Sequence, residues 1–190
     1  MNPDEVAKRA RANGVHTFVE LAKQAAGVQM GRTDAYRWSL SPVPLVFCNF
    51  AIELKLHEPS DFVALAALAQ NKKSFRAFSF VGDEPSDVRT RLIAHGFARS
   101  IQLSQRYWSG RDLGDRAAWR ESASRRERLI CADFMVGQFF PGSDSSMRKA
   151  LVSATADSSH RLFAVSDGRK LTGAVMLSID NNAVGLYNLC

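Results

Sequence analysis

Apolar and polar positions divide this chain into short helical and extended runs that alternate along its length. The start reads as helix. Asn2 is placed to cap the first turn, Pro3 stands where a missing N–H costs nothing, and Asp4 and Glu5 complement the helix dipole. Gly14 is expected to end that helix. Thr17-Phe18-Val19-Glu20 then reads as a capping box opening a second helix that runs to Gly27. AYRWSL (residues 35–40) and LVFCNFAIELKL (45–56) flank Ser41-Pro42-Val43-Pro44 as a β hairpin. The front half of the second run is apolar on both faces, which predicts a central, covered strand. Its back half alternates, with Ile52, Leu54 and Leu56 on one face and Glu53, Lys55 and His57 on the other.

Pro59-Ser60-Asp61 opens a helix over DFVALAALAQNKK (61–73). FRAFSFVG (75–82) reads as a strand, SDVRTRLIAHG (86–96) as a helix stopped by Gly96, and ARSIQLSQRYW (98–108) as a strand. The pattern then restarts. RLICADFMVGQFF (128–140) is a helix ending at Pro141-Gly142, and Asp144 caps a helix over SSMRKALVSATA (145–156). HRLFAVSD, LTGAVMLSID and AVGLYNLC, joined at residues 168–170 and at Asn181-Asn182, form a three-stranded antiparallel meander. The expected fold class is α/β in the α+β sense: two consecutive units with mixed, largely antiparallel sheets flanked by helices.

Composition agrees with a folded chain, with 46% hydrophobic and 23% charged residues. The 190 residues suffice for one large domain or two small ones. The apolar run over residues 44–52 is broken by Asn49 and too short to span a bilayer, and MNPDEVAKRA has no apolar signal core. A soluble, cytoplasmic protein without a membrane partner is expected. Cys48, Cys131 and Cys190 are far apart and odd in number, and His16, His57, His95 and His160 show no ligand spacing. Neither a disulfide framework nor a metal site is expected; the thiols read as buried hydrophobes.

The net charge of +6, with a pI near 9.5, permits acidic partners without requiring them. Seven arginines against four acids put +3 of it between residues 106 and 128. Acids and bases interleave there, which suits a solvated linker better than a stripe that tracks phosphates.

The segment RLFAVSDGRKLTGAVMLSIDNNAVGLYNLC (161–190) resembles the first half of the core of the GNAT superfamily of N-acetyltransferases. That core has a strand (here 162–165), a short turn (167–170), a strand opening on a Gly (173–179) and a strand of the AVGLYNLC type (183–190). The helices at 129–140 and 145–156 are similar to the paired helices that flank the family's acceptor site. LIAHGFARSIQL (92–103) resembles the helix-to-strand signal that ends a GNAT unit. The resemblance implies a tandem arrangement: a degenerate unit at 1–107, a linker at 108–127, and the first half of a second unit at 128–190. It also implies transfer of an acyl group from acetyl-CoA, or a related thioester, to a small-molecule or peptide amine. The terminal strand would supply an oxyanion-stabilising N–H, with cofactor contacts at Asn188, Leu189 and Cys190 and with Tyr187 or Asn188 toward the acceptor. No catalytic acid or base is assigned.

The family's [QR]-x-x-G-x-[GA] loop holds the cofactor pyrophosphate on backbone N–H groups at a helix N-terminus. The 190 residues contain no such motif. Gly110 to Gly114 has glycine spacing but two acids nearby, and in Gly137 to Gly142 Pro141 removes a donor. The chain is therefore expected to stop before its cofactor loop and to be catalytically incompetent in this form. Left as an edge, the last strand would invite self-association. Two other readings stand beside this one. The first is a non-catalytic ligand- or protein-binding module on the same fold. The second, weaker one is nucleic-acid binding through residues 106–128. Ser39, Ser41, His95, the His57-Glu58 pair, Trp38, Trp108, Trp119 and the Glu127/Asp133 pair lack the spacing of a catalytic motif and read as structural.

Overall fold

The N-terminal segment is one helix. In the computed structural model, which describes residues 2–70, 74–100, 118–180 and 183–190, helix α1 spans Pro3–Lys23 without a break at Gly14. The Asn2 side chain accepts from the Asp4 N–H at 3.1 Å, as a cap should. The expected second cap at Thr17 does not form. Its hydroxyl instead donates to the Asn13 carbonyl one turn back (2.7 Å) and is hydrogen-bonded to the Ser178 hydroxyl (2.7 Å). A mid-helix glycine costs roughly 1 kcal/mol. Tertiary burial of Asn13, Gly14, Thr17, Val19, Leu21 and Ala22 outweighs it here.

The first sheet has the order β1-β2-β3-β4, with β1 Gln29–Arg32, β2 Arg37–Leu40, β3 Phe50–Ile52 and β4 Arg76–Ala77. Its first two pairings are antiparallel, and β3–β4 is parallel across helix α2 (Pro59–Gln70). Strand β1 was not expected from QMGR. Gly31 lies opposite Trp38, and a Cβ there would fall 2.5 Å from the indole, so a residue poor in β propensity is what the pair requires.

The strand expected over 45–56 is confined to β3. Residues 45–48 form a turn, with Cys48 N–H donating to the Leu45 carbonyl (3.0 Å). The buried Asn49 amide braces the loop by donating to the Val43 and Leu45 carbonyls (2.7 and 3.0 Å). Leu45 and Cys48 are apolar because they pack on Val136 and Leu151 of the helices that follow, not because they pair in a sheet. At the other end Glu53 takes a left-handed backbone (φ 57°). The expected shared face of Ile52, Leu54 and Leu56 is thereby split. Ile52 packs with Phe50 under α1, while Leu54 and Leu56 pack with Phe62, Leu65 and Leu92 on the opposite side. The strand expected over 75–82 reduces to β4. Helix α3, Val88–Ala94, ends at Gly96 (φ 88°) as its sequence predicts. Most of the strand expected at 98–108 lies outside the described residues.

The second sheet has the order β5-β6-β7-β8, with every neighbour antiparallel: β5 Arg120–Glu121, β6 Arg161–Asp167, β7 Lys170–Ile179 and β8 Val184–Tyr187. Helix α4 (Arg125–Phe139) and helix α5 (Ser145–Asp157) connect β5 to β6. Helix α4 starts earlier than expected because Ser124 and Glu127 form a capping box. Asp144 caps α5 by accepting from the Met147 N–H (2.8 Å), as expected. The α+β architecture with mixed and antiparallel sheets is thus present, and among the described residues no helix is long and apolar enough to cross a membrane.

Helix α1 lies between the two sheets. Val19 and Ala22 pack on Phe50 and Ile52, whereas Leu21 packs with Met135, Leu162 and Met176. His160, 2% exposed, sits where α1 meets the start of β6. Its Nε2 is 3.4 Å from the Thr17 carbonyl, its Nδ1 has no hydrogen-bond partner, and His16 meets it edge-on with ring centroids 6.0 Å apart. Burial pushes its imidazole below the usual range, and the His16 and Arg128 charges add to that; the Thr17 carbonyl and Glu20 oppose it. The unfolded chain therefore takes up this proton at a higher pH than the folded one. Stability should be level above the ordinary imidazole value of about 6.5 and fall below it, by at most about 1.4 kcal/mol per pH unit. Urea unfolding of the wild type and of His160→Gln between neutral and mildly acidic pH checks this. An equal slope in both proteins assigns the effect to other groups.

Candidate functional site

Strand β8 is the point where the second sheet changes register. Tyr187 pairs with Met176, yet the next backbone pair joins Cys190 to Ala174 (N–O 2.9 and 3.0 Å). Asn188 and Leu189 together therefore face the single Val175, which is a β-bulge. Asn188 adopts φ 51°, a left-handed conformation that asparagine tolerates better than most residues. The bulge takes the peptide groups of Asn188 and Leu189 out of the regular ladder and turns their side chains apart.

Behind the bulge lies an apolar cavity of about 60 Å³. Its walls come from α1 (Thr17, Phe18, Leu21), the 45–48 turn (Leu45, Phe47, Cys48), α4 (Met135, Val136, Phe139), α5 (Leu151, Ala154, Thr155) and the sheet (Met176, Tyr187, Asn188). Its volume is well below the roughly 150 Å³ of an engineered cavity that takes up benzene. Thr17, Thr155, Tyr187 and Asn188 are its polar margin; the rest is hydrocarbon and sulfur.

Of the residues expected to contact a cofactor, Asn188 lines this cavity. Leu189 points outward and is 62% exposed. Cys190 packs against the core beside Ala174 and Met176. Tyr187 faces inward, and its hydroxyl donates to Asn13 Oδ1 at 3.0 Å, a bond from the sheet to α1; burial raises its phenol above the ordinary value. Sequence reasoning missed the walls given by α1 and the 45–48 turn. Both were read as local secondary structure, and only the apolar run at 45–48, too rich for a turn, signalled a second packing partner.

Nucleophilic chemistry finds no support among the thiols. Burial pushes Cys48 up to about 11 and raises Cys131 and Cys190, so none is held as thiolate. The other candidates are engaged structurally. The Ser39 hydroxyl donates to the Cys48 carbonyl (3.0 Å), and His95 stacks on Phe62 (4.5 Å) with Nδ1 2.8 Å from the Arg91 carbonyl. His57 meets Glu84 at the surface (3.2 Å), Asp133 pairs with Arg148 (2.8 Å), and Glu127 belongs to the α4 cap. Trp38 covers Gly31, and Trp119 lies 3.4 Å from where a Gly173 Cβ would be. Trp108 and the Gly110–Gly114 stretch lie outside the described residues.

No family model, curated protein or solved structure matches this chain.

The arginine-rich stretch is described from residue 118 onward, where two of its side chains have structural work. Arg128 donates to the Ala156, Ser158 and His160 carbonyls (2.6, 2.7 and 3.0 Å), closing the C-terminal end of α5. Arg125 forms a two-armed pair with Asp157 (3.0 and 3.1 Å). Among the described residues no cluster of three or more His, Cys, Asp or Glu side chains could hold a metal ion.

Proposed function

We propose that this chain carries the acyl-binding half of a GNAT-like N-acyltransferase, with a short thioester as donor and an amine as acceptor. The observation that carries the proposal is the bulge at Asn188 and Leu189, set against a small apolar cavity beside a bent strand. On this reading the acyl methyl enters the cavity, and the displaced peptide N–H groups are offered to the thioester carbonyl. The order β5-α4-α5-β6-β7-β8 supports it, because two helices and an antiparallel meander occur in the sequence that the resemblance implies. Among the described residues β8 is the last strand of its sheet; its edge is where a second chain would add, so self-association belongs to the same proposal.

Acetyl-CoA is the proposed cofactor, bound weakly by these 190 residues because they contain no pyrophosphate loop. Charge-assisted hydrogen bonds contribute roughly 1.5–3 kcal/mol each, so several missing ones cost orders of magnitude in affinity. Calorimetry should therefore find acetyl-CoA binding weaker than micromolar and close to that of S-acetylpantetheine, which has no pyrophosphate. S-acetylpantetheine at high concentration should shift the amide resonances of Asn188 and Leu189. Micromolar acetyl-CoA binding would sink the weak-binding claim, and unmoved amides at those two residues would sink the acyl site.

A further inference from the structure

Helix α1 is held to the two sheets by different chemistry. Toward the first sheet the contact is apolar, with Phe18, Val19 and Ala22 packed against Phe50, Ile52 and Phe78. The buried ion pair of Arg11 with Asp83 adds to it. Toward the second sheet, the stretch from Asn13 to Glu20 offers hydrogen bonds instead. The Asn13 amide donates to the Ser178 and Ala183 carbonyls, and its oxygen accepts from the Tyr187 hydroxyl. The Thr17 and Ser178 hydroxyls bond each other, and the Ser159 hydroxyl donates to Glu20. Apolar packing across this seam is found at Leu21 and at the 45–48 turn, where Leu45 and Cys48 meet Val136 and Leu151. Hydrogen bonds that can be exchanged for water contribute little net, so the polar end of the seam opens more easily than the apolar end.

His160 is buried at that polar end. With the ring hydrogen on Nε2, the tautomer that the Thr17 carbonyl selects, Nδ1 carries a lone pair without a partner. Protonation puts a second N–H at Nδ1, and no acceptor awaits it while α1 is docked. His16 from α1 and Arg128 from α4 oppose the added charge. Glu20 favours it, but Glu20 is already engaged by Lys23 and Ser159. We propose that His160 is an acid-sensitive latch: when its ring takes up a proton, the second sheet swings away from the Asn13–Glu20 stretch of α1. The apolar contact at Leu21 and the 45–48 turn is the hinge, and α1 stays with the first sheet. The swing uncovers the apolar cavity, whose walls include Thr17 and Tyr187. Burial holds the docked ring below the usual imidazole range, whereas the undocked ring, in water, takes up its proton near the ordinary value of about 6.5. The docked form is therefore unaffected above that value. Below it the undocked fraction grows, by at most about tenfold per pH unit. The latch does not depend on the acyltransferase reading.

The test is hydrogen exchange by NMR on the full chain from neutral to mildly acidic pH, read as protection factors so that the intrinsic pH dependence cancels. The Asn13 side-chain amide reports the seam, because its acceptors lie on the second sheet. The Phe78 N–H, bonded to the Ala51 carbonyl, and the Ser122 N–H, bonded to the Leu162 carbonyl, report the two sheets. Protection of the Asn13 amide should fall toward acid by up to about tenfold per pH unit and stay below that of Phe78 and Ser122. It should also depend less on added urea than theirs, since the opening exposes little surface. His160→Gln should remove the slope with pH. Ser178→Ala, which deletes one seam hydrogen bond and no titrating group, should lower Asn13 protection by roughly two- to tenfold at every pH and keep the slope. In the wild type the His160 ring resonances should titrate below about 6.5. The proposal is overturned if Asn13 protection is level with pH, if His160→Gln keeps the slope, or if His160 titrates at or above that value. It is also overturned if Asn13, Phe78 and Ser122 lose protection together with one urea dependence, which is global unfolding.

Discussion

Arg11→Ala is expected to destabilise the protein by about 3–5 kcal/mol, the range for leaving one member of a buried ion pair alone. Asp83 has a fully buried side chain, and Arg11 Nη2 stands 2.5 Å from its Oδ1. The other carboxylate oxygen accepts from the Phe80 N–H (2.8 Å). Burial raises the Asp83 carboxyl above its ordinary value even with these partners, while the Phe80 N–H and the Arg11 guanidinium pull it down. Removing Arg11 takes away one of these restraints, and the carboxyl rises further. A raised acid is protonated in the folded chain at a pH where the unfolded chain has already released its proton. The cost of the mutation is thus absent where both folded proteins hold the proton, and grows as pH rises through the raised value of the wild-type carboxyl. Urea unfolding at neutral pH and near pH 4 should show a large deficit in the first case and a small one in the second. Arg11→Ala combined with Asp83→Asn should be more stable than Arg11→Ala alone. A deficit independent of pH would show that Arg11 acts through packing of its stem instead.

Gly185→Ala is the second large effect, expected at about 2–4 kcal/mol from overpacking together with lost buried hydrogen bonds. A Cβ at Gly185 would stand 2.1 Å from Asn13 Oδ1 and 2.4 Å from the Tyr187 ring. Asn13 cannot move aside freely. Its amide donates to the Ser178 and Ala183 carbonyls (3.0 and 3.3 Å), and its oxygen accepts from the Tyr187 hydroxyl (3.0 Å). The added methyl must therefore lift α1 from β8 or break this network. Asn13→Ala provides the control, because it removes the atom the methyl would strike. In a double-mutant cycle the two changes should cost less together than the sum of each alone. Strict additivity would place the strain elsewhere. The same displacement should loosen the apolar cavity behind the bulge, since Tyr187 is part of its wall.

Local signals in this chain were reliable wherever they stayed local. The Asn2 and Asp144 caps, the stop at Gly96 and the meander from Arg161 to Tyr187 follow from short-range rules that burial did not oppose. Thr17 shows the contrary case. Its sequence context is a capping box, but its hydroxyl is drawn into a contact with Ser178, 161 positions away, and the helix runs through. Leu45 and Cys48 look like strand residues for the same reason, since an apolar run does not say which neighbour it will cover. Glu53 has no sequence signal at all. A glutamate in a left-handed conformation is disfavoured locally and is imposed by the demand that Ile52 and Leu54 enter different cores.

The candidate sites divide in the same way. Asn188 was legible as part of the terminal strand, and in the structure it lines the apolar cavity behind the bulge. The ion pair of Arg11 with Asp83 was not legible, because the two residues are 72 positions apart in the chain and each alone is an ordinary surface-type residue. By itself the sequence determined the class of fold, the antiparallel meander and the caps of α1 and α5, through rules that act over a few residues. The tertiary structure alone decided that α1 is a single helix shared by two sheets. It also decided that β8 bulges over a cavity and that Arg11 reaches the buried Asp83 across 72 positions of chain. Those outcomes depend on burial energies summed over distant segments, and these outweigh the smaller local preferences written along the chain.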